Sequence, residues 1–119
     1  MGASLRLRVI ECLPTALRAC NKRSSYQFTI RSFAVLVSLY NACENGQTMT
    51  RSALVERLFR MANIDNKQAG FLMVWRLMDR GIIETVGQGR GSIVSPTMEG
   101  RNYVRAVERY LRNLRPGSY

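Results

Sequence analysis

The chain has 119 residues, 46% of them hydrophobic, and a formal net charge of +10 with an isoelectric point near 10.6. That composition is one domain with enough apolar material for a single core, and its charge points to a polyanionic partner. Histidine is absent, which removes the commonest general base and metal ligand, and no apolar run approaches the ~18 residues of a membrane span, so the composition argues against catalysis and a membrane role.

Sixteen of the eighteen basic residues are arginine, whose planar fork suits bidentate contacts to phosphate and guanine better than lysine's point charge does. They are dispersed, without a basic tail. Cys12, Cys20 and Cys43 are odd in number and widely spaced. They read as small buried hydrophobes in a reducing compartment, not as a disulfide framework or zinc knuckle. The N-terminus lacks a signal-peptide core, and Arg6 stands where a myristoylation motif wants Ser or Thr. The acidic residues are scattered, with none paired at helical spacing for a metal. The reading is a soluble, cytoplasmic, nucleoid-associated protein that is not an enzyme, with no cofactor, no metal and no membrane partner.

Leu5, Leu7 and Val9 alternate with Arg6 and Arg8, which fits an edge strand or one end of an amphipathic helix. Pro14 suits the first turn of a helix continuing through Leu17 and Cys20, and the polar stretch 21–25 reads as a mobile joint. The most apolar helix spans 29–43, with Phe33, Leu36, Val37 and Tyr40 in an i, i+3, i+4, i+7 stripe and Asn45-Gly46 ending it. Its aromatics read as packing rather than as a stacking platform for bases.

Thr48-Met49 fits a short strand against a later hairpin, and Thr50 the cap of the next helix. Leu54, Leu58 and Met61 are expected inward, leaving Arg51, Arg57 and Arg60 to solvent. After the turn residues 63–66, a second helix over 66–80 completes a helix-turn-helix and ends at Gly81. Residues 82–86 and 92–95 form two strands around Gly87, Gly89 and Gly91, with Arg90 at the tip. The glycine triplet precedes a strand rather than a helix, so it is a turn and not a phosphate loop.

Pro96 breaks the second strand, and Thr97 caps a last helix running to about Leu114. Val104, Val107, Leu111 and Leu114 make a narrow stripe there, which serves either the chain's own core or a homodimer seam. Glu108 stands four residues before Arg112 for a helix ion pair. The fold class is therefore mainly α with a small β-wing, an α+β winged helix-turn-helix. Its divisions are 1–25 (N-terminal extension), 26–97 (winged core) and 98–119 (C-terminal helix and tail).

From Met49 on, the chain resembles MarR-type winged helix-turn-helix regulators. The likeness rests on Leu77-x-x-x-Gly81-Ile82-Ile83, then Arg90-x-x-x-Val94-x-Pro96-Thr97-x-x-Gly100, at the family's spacing over roughly half the chain. Three departures stand out. Gln88 replaces the aspartate that pairs with the wing arginine, Phe71, Leu72 and Trp75 put bulk near the DNA-reading face, and the last helix is short for an effector pocket.

These features imply a sequence-specific double-stranded DNA-binding protein, a small transcriptional regulator with helix 66–80 in the major groove and wing 82–95 on the flanking minor groove. Lys67, Gln68 and Arg76 are the candidates for base or phosphate contacts, Arg51, Arg57 and Arg60 for phosphates, and Arg90 for the minor groove. The same features fit a DNA-bending accessory factor of recombination or plasmid maintenance. Two other readings are a protein-interaction module docking through Phe71, Leu72 and Trp75, and an RNA-binding winged helix.

Overall fold

Three threonines open helices in this chain and two glycines close them. The computed structural model describes residues 2–61, 67–87 and 92–113, with side chains from Cys12 onward except those of Leu58, Phe59, Met61 and Lys67. The helices among these residues are α1 (Gly2–Asn21), α2 (Ile30–Glu44), α3 (Arg51–Met61), α4 (Lys67–Asp79) and α5 (Met98–Arg112). The strands β1 (Met49–Thr50), β2 (Ile83–Val86) and β3 (Ile93–Pro96) form an antiparallel sheet in the order β1-β3-β2. The architecture is mainly helical with a small sheet, consistent with a winged α+β fold.

Thr29 caps α2 in a reciprocal box: its hydroxyl accepts from the Ser32 amide at 3.2 Å, and its own amide donates to Ser32 Oγ at 2.9 Å. Thr50 accepts from the Ala53 amide at 3.1 Å to start α3, and Thr97 from the Gly100 amide at 3.2 Å to start α5. At the other end of α4, Gly81 adopts φ +73°, its amide donates to the Met78 carbonyl, and the Ile82 amide donates to the Leu77 carbonyl. That is a Schellman motif, and the apolar contact it favours is supplied by Leu77 and Ile82, both fully buried.

The core runs through every layer. Val35, Leu36 and Leu39 of α2 meet Leu54 and Val55 of α3, Val74 and Leu77 of α4, and Ile82, Ile83 and Val94 around the sheet. Ala16 and Leu17 of α1 and Tyr103, Val104 and Val107 of α5 complete it. Burying each Leu, Ile or Val is worth about 1.5–3 kcal/mol. Gly100 is where α5 meets the sheet: a Cβ there would sit 2.4 Å from the Ile82 carbonyl oxygen and 3.2 Å from Leu36 Cδ1, so only glycine admits this approach.

Three expectations change, and one choice that the sequence left open narrows. Residues 5–10 belong to a helix, and that helix starts at Gly2, so Pro14 lies inside α1 rather than in its first turn. Pro14 is exposed, and on an exposed face water meets the carbonyl that a mid-helix proline leaves unpaired.

The joint at 21–25 is tied down. The Asn21 side chain donates to the Phe28 carbonyl and accepts from the Phe28 amide, each at 3.0 Å, and accepts from the Tyr103 hydroxyl at 2.7 Å. Phe28 stacks on Tyr103 with ring centroids 4.0 Å apart.

Pro96 ends β3 from inside, opposite Ile83, instead of breaking it beforehand. β1 covers only Ile93 and Val94, so no strand needs an amide from Pro96 on that side, and the Thr97 amide reaches Ile82 instead.

The stripe on α5 faces home: Val104 and Val107 are buried in the chain's own core and Leu111 is half-buried. The intramolecular alternative accounts for these residues, whereas Val104 and Val107 are inaccessible to a second chain; Leu114 lies outside the described residues.

Candidate nucleic-acid interface

α3 and α4 pack together through small and branched residues where they touch. Gly70 on α4 is buried against Val55 of α3, and an added Cβ would stand 3.0 Å from Val55 Cγ1. Val74 and Leu77 continue that inner face with no exposed surface. Gln68, Phe71, Leu72, Trp75, Arg76 and Asp79, at spacings of three, one, three, one and three, are therefore left on the outer face, and all are exposed. Phe71, Leu72 and Trp75 are 39%, 48% and 57% exposed, so each leaves a large apolar surface uncovered by the chain itself. Lys67 begins the helix, but its side chain is outside the described set.

The wing leaves the end of α4 through a junction built on Thr97. Its hydroxyl lies 2.6 Å from the Gly81 carbonyl oxygen and 2.9 Å from that of Ile82, with one proton to donate, while it accepts from the Gly100 amide. The Thr97 amide also donates to Ile82 at 3.0 Å. One residue thus ties the stop of α4, the root of β2 and the start of α5.

In the sheet, Ile83 pairs with Pro96 and Thr85 with Val94 on the inner face, and Glu84 with Ser95 and Val86 with Ile93 on the outer. Val86 and Ile93 are exposed there as an apolar pair that sequence reasoning missed; the strand register is the signal that finds it. Gly87 turns the chain outward at φ +96°, and Arg90, Gln88, Gly89 and Gly91 lie outside the described residues.

Of the candidate phosphate contacts, Arg57 and Arg60 are exposed as expected, and so is Arg76 on α4. Arg51 differs. It is only half exposed, its amide donates to the Ser92 carbonyl at 3.2 Å, and its Nε is buried without a partner among the described residues, as is Ser92 Oγ. Its position directly after β1, which pairs with β3, brings its backbone against Ser92. Arg80, exposed four residues beyond Arg76, was not singled out, although its i+4 spacing places it on the same side of the helix.

A concavity of about 790 Å³ opens between α1, residues 22–24 and α5, lined by Lys22, Arg23, Tyr103, Arg109 and Tyr110 among others, with nothing from α3, α4 or the wing. Burial there raises the Tyr103 hydroxyl and the Cys20 thiol above their ordinary pKa ranges, the latter against the opposing pull of Arg23. Among the described residues no group of three potential metal ligands occurs, and no helix is long and apolar enough to cross a membrane.

No family model matches the chain, and no curated protein matches it significantly. Among solved structures it is similar to the crystal structure of RV1404 from Mycobacterium tuberculosis, at 21% identity and a TM-score of 0.64 over 93% of this chain and 71% of that one. At that identity the likeness is one of fold: a mostly helical body with a small antiparallel sheet, compatible with a winged helix-turn-helix.

Proposed function

We propose that this chain is a sequence-specific double-stranded DNA-binding protein of MarR-like winged-helix type, a small cytoplasmic regulator of transcription without catalytic activity. The observation that carries the reading is the outer face of α4, left bare by a winged scaffold in a chain of net charge +10. In such a scaffold the second helix of the pair enters the major groove and the wing lies along the flanking minor groove. Gln68, exposed in the first turn of α4, is of a type that pairs with adenine; Arg76 suits guanine or phosphate, and Arg57, Arg60 and Arg80 suit phosphates.

A salt titration of DNA binding tests this. The logarithm of the association constant should fall steeply with the logarithm of salt, by about 0.9 per phosphate contacted. Arg90→Ala should weaken binding by about 1–3 kcal/mol and make that slope shallower by about one. A flat salt response would sink the reading in favour of a protein-interaction module, which the exposure of Phe71, Leu72 and Trp75 favours. Light scattering with and without DNA gives the stoichiometry: two chains on a near-palindromic site mark a symmetric regulator, with half-sites about one helical turn apart.

A further inference from the structure

The outer face of α4 is unusual for a surface meant to meet base edges, because its middle is apolar. Leu72 and Phe71 follow Gln68 by one turn, and Trp75 follows them by another, beside Arg76. We propose that α4 selects thymine-rich sites by packing Phe71, Leu72 and Trp75 against thymine C5-methyl groups in the major groove, with Gln68 on a neighbouring adenine. The inference rests on the DNA-binding reading above and names its target.

The chemistry of the groove makes the choice. The thymine methyl is the apolar group that base pairs display in the major groove; cytosine offers an amino donor there and guanine two acceptors. An apolar side chain pressed on a G·C edge strips water from those groups and returns no hydrogen bond, whereas on thymine it buries a methyl. The same face therefore accepts A·T and rejects G·C. At 1.5 Å of rise per residue, Gln68 to Trp75 spans about 10 Å, or about three base-pair steps of 3.4 Å, so the stripe covers a short run. The surroundings suit this occupant more than a neutral protein. Arg57 and Arg60 of α3, Arg76 of α4 and Arg80 just past its end are all exposed, in a chain of net charge +10, which suits a polyanion whose methyl groups lie between two lines of phosphates.

Deoxyuridine supplies the test, since it lacks the methyl and leaves the phosphates and the minor-groove edge as they were. Binding to an alternating dA-dT duplex should be about tenfold or more tighter than to its dA-dU counterpart, at about fourfold per methyl buried. Both should show the same salt slope, and an alternating dG-dC duplex should bind more weakly still. Leu72→Ala and Trp75→Ala should shrink the thymine preference while leaving the melting temperature nearly unchanged, because both side chains are exposed. Equal binding to the dA-dT and dA-dU duplexes, with steep salt dependence on both, overturns the thymine inference and leaves the DNA-binding reading standing. A preference that survives intact in both variants also overturns it. Failure to bind any of the three duplexes at low salt brings down the DNA-binding reading itself, and partner capture through Trp75 becomes the account of this face.

Discussion

α2 and α4 look alike as sequences and differ in what their apolar residues do. Both carry large hydrophobic side chains at helical spacing. In α2, Phe33, Leu36 and Leu39 are buried because α3, α5 and the sheet pack around that helix. In α4, only the face toward α2, α3 and β2 is covered, and Phe71, Leu72 and Trp75 remain in solvent. The difference shows that an apolar stripe states a capacity for burial, while the number of neighbours decides whether the chain itself uses it.

The largest test of that contrast pairs two leucines. Leu36→Ala should cost about 3 kcal/mol in urea unfolding, because a fully buried leucine leaves a cavity, whereas Leu72→Ala should cost less than about 0.5 kcal/mol. Comparable losses would mean that α4 packs on something in the free protein and that the contrast is false. Gly100→Ala comes next, at about 2 kcal/mol, since the new methyl meets the Ile82 backbone 2.4 Å away rather than a yielding side chain. A silent Gly100→Ala would show that α5 can retreat from the sheet without loss.

Tyr103→Phe should cost about 1 kcal/mol, because Asn21 Oδ1 keeps the Phe28 amide after losing the hydroxyl. The pH dependence has a definite sign. Burial, and then the nearby Cys20 thiolate, raises the tyrosine's folded pKa, so its contribution is complete below the unfolded value near 10 and is lost as pH climbs above it. Denaturation between pH 8 and 11 should therefore show the parent losing stability relative to Tyr103→Phe above about pH 10. A constant difference across that range would rule out the buried phenol as the cause. The smallest effect is expected at Trp75→Ala, which should shift stability by about 0.5 kcal/mol at most. Fluorescence of the parent, whose one tryptophan is this residue, should be readily quenched by iodide.

Much of the fold was legible because local chemistry set it. Thr29, Thr50 and Thr97 announce helix starts, and Gly81 before two isoleucines announces a stop followed by a strand. Pro14 misled because proline is favoured in a first turn and disfavoured inside a helix, yet α1 runs through it and packs on α5. Asn21 reads as loop chemistry, yet its three side-chain bonds reach as far as α5, a distance no local pattern encodes. The exposure of Arg57, Arg60, Gln68 and Arg76 was legible from helical spacing. The half-burial of Arg51 was not, because the bond of its amide to Ser92, like the pairing of β1 with β3, joins residues more than forty apart.

The last pair in the hairpin register, Val86 with Ile93, fixes the two points from which the connection between β2 and β3 departs. Below them, Thr97 bolts the ribbon to α4 and α5 through bonds that involve no residue of that connection. Ser92 belongs to the base as well, since its carbonyl accepts from the Arg51 amide at the start of α3. Insertions or exchanged loops between Gly87 and Ser92 should alter the length and charge of the wing's reach while α4 keeps its position. The scaffold is in that sense a fixed handle with an interchangeable blade, on which tips of different composition can be grafted and compared without refolding the rest.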